Sequence, residues 1–357
     1  MTASALTFKP IQRLNGNFFG VDETEVLYQD RNTGKQLNTF PNKKVLINRA
    51  SGFGISIVKN NFLAVHHQDA FNLGKTLFEM LFGISPDIHK ENINSKQTDY
   101  SVDFISDKCK IQFTQFGYRY LNPNDRDFRL ASEDNMQGFS NNGGMDSLPY
   151  IAPNFKDEYH PFLRVSNYLR EGNSFYIEMG YYRYRCSNGL MLGKKTQTAF
   201  RHSYYVPSFK LIQAAAMEQF LRHKQSFMYM AENLWKLLRV YVPKAKMRLI
   251  SFDIFENELM KKSLDERLRL QVGLNDLIDK YVSEIGENLN AALNVATDFS
   301  KQLEGHKVSQ SQIQNLASTW VSRVSRNSFV IEKYWADLNG IEDRILSEKM
   351  EVEEEEN

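Results

Sequence analysis

NSFYIEMGYYRYRCSNGLMLGKKTQTAFRHSYY, running from Asn173 to Tyr205, is the stretch on which the fold turns. Phe175, Ile177, Met179 and Tyr181 alternate with Tyr176, Glu178, Gly180, Tyr182 and Tyr184. Successive strand side chains point to opposite faces, so this period of two predicts a long, half-buried β-strand. Arg183 and Arg185 continue the apolar parity beyond Tyr181. They project where that face leaves the core, either capping its rim or lining a groove. Cys186-Ser187-Asn188-Gly189 follows, and an Asn-Gly pair accepts the positive φ values of a tight turn. A returning strand is expected over Leu190 to Leu192.

The same stretch carries the charge signal. No Asp or Glu occurs between Glu178 and Glu218, while Arg183, Arg185, Lys194, Lys195, Arg201 and Lys210 fall among Tyr181, Tyr182, Tyr184, Phe200, Tyr204, Tyr205 and Phe209. Interleaved cations and flat rings suit single-stranded nucleic acid, whose phosphates follow a positive groove while bases stack on aromatics at about 1–3 kcal/mol each. The expected nucleic-acid-binding residues are Tyr182, Arg183, Tyr184, Arg185, Asn188, Lys194, Lys195 and Arg201. An ordinary sheet with solvated edges has the same composition, so both readings stand at this level.

The aromatic-Arg-x-x-Cys-Ser-Asn-Gly-Leu form of Tyr182 to Leu190 resembles the central signature of a phage- and plasmid-borne bacterial protein family that carries only a domain-of-unknown-function label. GISIVKNNFLAVHHQDAF, Gly54 to Phe71, is similar to that family's strand–strand–helix opening, and HPFLRVSNYLREGNSF, His160 to Phe175, to its approach to the central strand. ALNVATDF, Ala292 to Phe299, is similar, more loosely, to a late helical segment. The resemblance spans about two thirds of the chain. It implies a mobile-element origin and a shared fold, and it brings no catalytic residue across. The Asn-rich region before Pro161 and the acidic tail depart from the pattern.

Working outward, residues 1–60 read as β-rich, with short strands at Glu25 to Tyr28, Lys44 to Ile47 and Gly54 to Lys59, and Phe62 to His66 continuing the meander. A helix is predicted from Asp69, on Phe71, Leu73, Leu77, Phe78 and Leu81, up to Gly83. Gly74-Lys75-Thr76 imitates the end of a phosphate-binding loop, but Asp69 occupies the position where that loop needs its first glycine. His66 and His67, read as neighbours on a strand, point apart and cannot hold one ion together; His67 with Asp69 lacks a third ligand. Ser101 to Tyr120 alternates again, and residues 122–154 read as a long irregular loop. After Pro207 the spacing turns helical, with one long stripe from Phe209 to Leu238. Ser263 with Glu266 and Ser309 with Gln312 have capping-box spacing, and Leu289 to Leu303 carries a further stripe closed by Gly305.

The predicted class is therefore α+β: a β-rich domain over residues 1–207, a helical region over 208–350 and a glutamate tail over 351–357. Cys109 and Cys186 are the only cysteines, too few for a disulfide framework or thiolate metal site, and this favours the cytoplasm. No signal peptide or membrane span is expected. Residues 1–250 hold 32 Lys and Arg against 22 Asp and Glu, and residues 251–357 hold 12 against 21. An acidic end on a basic body competes with nucleic acid for the groove, binds a basic partner, or tunes solubility. There is no Gly-x-Ser-x-Gly and neither Asp-x-Lys nor Glu-x-Lys, so hydrolase and restriction-type nuclease chemistry lack their usual residues. No cofactor, metal or catalytic residue is assigned. The expectation is a nucleic-acid-binding accessory protein, single-stranded DNA binding or annealing being one form of it. A homo-oligomeric scaffold built on the helical stripes and a nuclease assembled from distant acids are the alternatives.

Overall fold

The structure is a computed structural model that describes residues 19–29, 36–115, 117–121, 150–173, 175–183, 189–190, 199–202, 204–222, 234–235, 237–303 and 331–347. Among the described residues eleven strands, with one helix between the third and the fourth, precede the remaining helices, as in an α+β chain. A small antiparallel sheet joins β1 (Val21–Gln29), β2 (Gln36–Asn48) and β3 (Gly54–Lys59) in that order. Phe62 to His66 has no regular secondary structure, so the meander ends at β3. The helix α1 (His67–Phe82) follows and stops at Gly83 in the left-handed region, φ 68°.

The main sheet has eight strands, all paired antiparallel: β4 (Asp87–Ile93), β5 (Asp99–Ile105), β6 (Lys110–Thr114), β7 (Gly117–Leu121), β8 (Lys156–Tyr168), β9 (Phe175–Arg183), β10 (Gly189–Leu190) and β11 (Ala199–His202). Its centre is β8, one strand earlier than the stretch from Asn173 leads one to expect. β9 runs along one edge of β8 from Tyr159 to Ser166; the other edge is shared by β5 towards Tyr168 and by β6 towards Lys156. Only a strand of 13 residues is long enough for two neighbours end to end on one side. The alternating Ser101 to Tyr120 segment breaks into three strands: the chain loops out at Asp107-Lys108-Cys109 between β5 and β6, which run in the same direction along β8, and it reverses after Thr114 into β7.

One face of this sheet is apolar. Phe104, Val165, Leu163, Phe175, Ile177, Met179 and Tyr181 are buried on it, and α1 packs across β8 and β5 there. The approach is close at Gly74, where a Cβ would lie 2.4 Å from Val165 Cγ2 and 2.6 Å from Phe104 Cε2. That contact is what the Gly-Lys-Thr triplet of α1 serves. Helix α2 (Phe209–Arg222) packs on α1, burying Ile212, Ala216 and Phe220. Leu234, Trp235, Leu237 and Leu238 of the expected stripe are also buried; the residues joining them to α2 lie outside the described ones.

Beyond Pro243 come α3 (Lys244–Leu259), α4 (Leu264–Ile285), α5 (Leu289–Gln302), α6 (Ile331–Asp337) and α7 (Ile341–Leu346). Ser263 and Glu266 form the anticipated capping box at the start of α4; the Ser309–Gln312 pair lies outside the described residues. Every residue of α5 from Leu289 to Ser300 is buried; α3 and α4 pack against this helix, and Tyr159 of the sheet reaches its first turn. Its polar positions Asn290, Asn294 and Asp298, at i, i+4 and i+8, mimic a solvent stripe. Instead Tyr159 of β8 donates from its hydroxyl to Asn290 at 3.4 Å, and the Tyr281 hydroxyl of α4 donates to Asp298 at 2.5 Å.

Residues 150–154, read as the end of a loop, are held by backbone. Ile151 bridges Gly286, Ala152 N–H donates to Ile285 O at 3.0 Å, and Tyr241 bridges Asn288. These bridges tie the strand layer to the helices.

Candidate nucleic-acid interface

Strand β9 positions the first two expected site residues, and both are interior. Arg183 is 3% exposed at the rim of the apolar face, where its Nε donates to buried Asp157 and its Nη2 donates to Glu284 of α4 at 3.2 Å. The guanidinium also lies 5.3 Å from the Tyr281 ring centroid. Burial by itself would drive this guanidinium down, but the Asp157 carboxylate outweighs it and the pKa rises. Of the two roles open to Arg183, capping the rim or lining a groove, the geometry is that of the cap, a clasp between sheet and helices.

Tyr182 sits on the opposite face and is also fully buried, in a cluster with Ile105 and Phe162. Its hydroxyl donates to Asp103, and Arg164 grips the same carboxylate with two bonds of 2.6 and 2.8 Å. A ring enclosed in this way is no stacking platform. Burial would raise the Asp103 carboxyl; the Arg164 guanidinium and the two side-chain hydrogen bonds bring it below the ordinary carboxylate range instead. Tyr184, Arg185, Asn188, Lys194 and Lys195 lie outside the described residues, as does Cys186. Of Arg201 the backbone is described: in β11 it is the cross-strand partner of Tyr176.

The second face of the main sheet carries what the sequence reading did not single out. Cross-strand partners share a face, so the register defines its rows. Lys90, Asp103, Arg164 and Glu178 form one row across β4, β5, β8 and β9, with alternating charge. Ser101, Ser166 and Tyr176 form the next, ending at Arg201. Towards the other end Arg119, Gln112 and Glu158 line up across β7, β6 and β8, with the Arg119 guanidinium bonded to Gln112 Oε1 and Lys110 Nζ 2.9 Å from Glu158.

Cations lie over rings on this face. Lys90 Nζ is 5.3 Å from the Tyr182 ring centroid, Arg164 is 5.5 Å from that of Phe162, and Arg170 is 5.8 Å from that of Tyr168. Tyr168 and Tyr176 are half-buried and meet edge to face at 5.9 Å, on adjacent strands. Arg164, Arg170 and Lys110 are paired with Asp103, Asp99 and Glu158, and Lys90, Arg119 and Lys156 are exposed on the same face. The signal was available in His160, Phe162, Arg164, Ser166 and Tyr168, which alternate with Pro161, Leu163, Val165 and Asn167.

No protein-family model, curated protein or solved structure matches this chain. Its function must therefore be argued from its own residues. Among the described residues no three His, Cys, Asp or Glu side chains come together as metal ligands, and no helix is long and apolar enough to cross a membrane. His66 and His67 are the N-cap and first residue of α1, not strand neighbours. His66 Nδ1 accepts from Val21 N–H at 3.2 Å. His67 Nε2 donates to Gln97 O at 3.1 Å, and its Nδ1 accepts from Asn167 at 2.8 Å.

Proposed function

We propose that this protein binds nucleic acid, single-stranded DNA foremost, across the second face of its main sheet, as a cytoplasmic accessory protein of a phage or plasmid. The observation that carries the reading is the pair of half-buried rings Tyr168 and Tyr176 on adjacent strands, with Arg170 over one and the backbone of Arg201 in register with the other. Sheet faces that bind single strands use this combination: rings accept bases without regard to sequence and cations follow the phosphates. Lys90, Arg119 and Lys156 extend the positive charge along the same face. The acid-free segment from Met179 to Met217, whose sequence includes Lys194 and Lys195, supplies β11 to this sheet. The mobile-element origin rests on the Tyr182 to Leu190 signature.

The test is fluorescence anisotropy with single- and double-stranded oligonucleotides over a range of salt. Log affinity for the single strand should fall with log salt by about 0.7 per phosphate neutralised. Tyr176→Ala should weaken binding by about 1–3 kcal/mol with little change of slope, because stacking releases no counterions. The double change Lys194→Ala, Lys195→Ala should flatten the slope by up to ~1.4. Absence of single-strand binding at low salt, or binding indifferent to both changes, overturns the reading. A self-associating scaffold is the second reading, favoured by Leu268 and Val272, 42% and 63% exposed one turn apart on α4.

A further inference from the structure

A pocket of about 680 Å³ opens where the three backbone-bridged segments meet, at Tyr150 to Pro153, Tyr241 and Val282 to Glu287. Its volume falls within the roughly 300–1,000 Å³ of small-ligand sites. The walls are rigidly set. Val242 N–H donates to Glu287 O at 3.1 Å, and Leu289 N–H donates to Val240 O at 2.9 Å. Gly286, at φ 106°, lets the Tyr150 carbonyl approach to where a Cβ would stand at 2.1 Å.

The lining combines an apolar floor with two tyrosines, Ser283 and one carboxylate. Ile151, Ala152, Pro153 and Val282 make the floor apolar, and the Tyr150 and Tyr241 rings meet at 48° with centroids 5.6 Å apart, an open wedge instead of a stacked pair. Glu287 is the single charged side chain among the described lining residues. The Tyr241 hydroxyl donates to its Oε2 at 3.0 Å, which fixes the carboxylate beside the rings. Tyr150 is held as well, its hydroxyl donating to Arg239 O at 3.0 Å. Two anchored π-faces and a carboxylate on an apolar floor attract a positive charge with a hydrocarbon body. They repel an anion, and a neutral apolar ligand would strip water from Glu287 with nothing in return.

We propose that this pocket binds a small organic cation, an ammonium group on an apolar stem, with its charge against Glu287 and the Tyr150 and Tyr241 rings. The site shares no residue with the sheet face, so its failure and that of the nucleic-acid reading are separate results. Isothermal titration of the full chain with benzyltrimethylammonium chloride, benzyl alcohol and sodium benzoate tests it. One saturable site for the ammonium ion, with no saturable heat from the other two, is the expected outcome on the wild-type protein. Glu287→Gln and Tyr241→Ala should each weaken the ammonium ion by about three- to thirtyfold, with circular dichroism verifying the fold of each. No saturable ammonium binding, or equal binding of all three probes, overturns the proposal on the wild-type chain alone. An unchanged affinity in folded Glu287→Gln overturns it as well.

Discussion

The charge of Arg183 suggests a site residue, and its neighbours in space make it structural. Its guanidinium is enclosed with Asp157, 1% exposed, and reaches Glu284 on a helix 101 positions later. Removing one partner of such a pair leaves the other buried and uncompensated, at about 3–5 kcal/mol. Urea unfolding of Arg183→Met should show a loss of that size, and a variant as stable as wild type would remove the clasp. His67 supplies a pH dependence. Burial, ahead of its other influences, lowers its pKa from 6.5 to about 4, so the unfolded chain takes up this proton first as pH falls. Its stabilisation is therefore complete above pH 6.5 and is lost by about pH 4, a fall on the order of 3 kcal/mol. Burial depresses His160 too, which adds a slope of the same sign. His67→Gln should flatten the stability profile in that window, and an undiminished slope would assign it elsewhere.

At the scale of elements, period and turn chemistry were the legible signals. The alternation from Phe175 to Tyr182 is β9, and the stripe from Phe71 to Leu81 is the buried side of α1. What periodicity does not carry is which element lies at the middle. No strand is expected over β8 from the sequence, where His160 to Phe175 is only the approach to the next strand, and yet β8 is central because β5, β6 and β9 all pair with it. Gly74 makes the same point for a helix. Alanine is the better helix former by about 0.8–1.0 kcal/mol, but overpacking costs about 1–3 kcal/mol. With contacts of 2.4 and 2.6 Å to Val165 and Phe104, the clash should win and Gly74→Ala should lower the melting temperature. A rise would mean that α1 lifts off the sheet without loss.

For the whole molecule, the exposed pair Leu268 and Val272 bears on whether chains associate, since α4 is otherwise packed through Leu274, Ile278, Tyr281 and Ile285. Sedimentation velocity at tens of micromolar should show an oligomer that Val272→Glu disperses. A monomeric wild type would leave these two side chains as ordinary surface. The second face of the main sheet, proposed to bind nucleic acid, likewise exists only at this scale, because its rows are assembled from β4, β5, β8 and β9, which lie up to about a hundred positions apart in the chain.

Sequence alone determined the class of fold, the period of each strongly patterned segment, the capping box at Ser263 and the stretch that holds the signature. Those are local properties: side-chain direction repeats every two or 3.6 residues, and a cap needs partners only three positions away. Tertiary structure decided burial and partnership. Tyr182 and Arg183 have the composition of a binding surface and became interior because Asp103 and Arg164 on one face, and Asp157 and Glu284 on the other, arrive from distant segments to meet them. Tyr168 and Tyr176, adjacent across two strands, stayed half open for the opposite reason: register sets them side by side on the face that α1 does not cover. Asn290, Asn294 and Asp298 have the spacing of a polar stripe and are nevertheless enclosed, since a polar residue is excluded from a core only when nothing there can hydrogen-bond it.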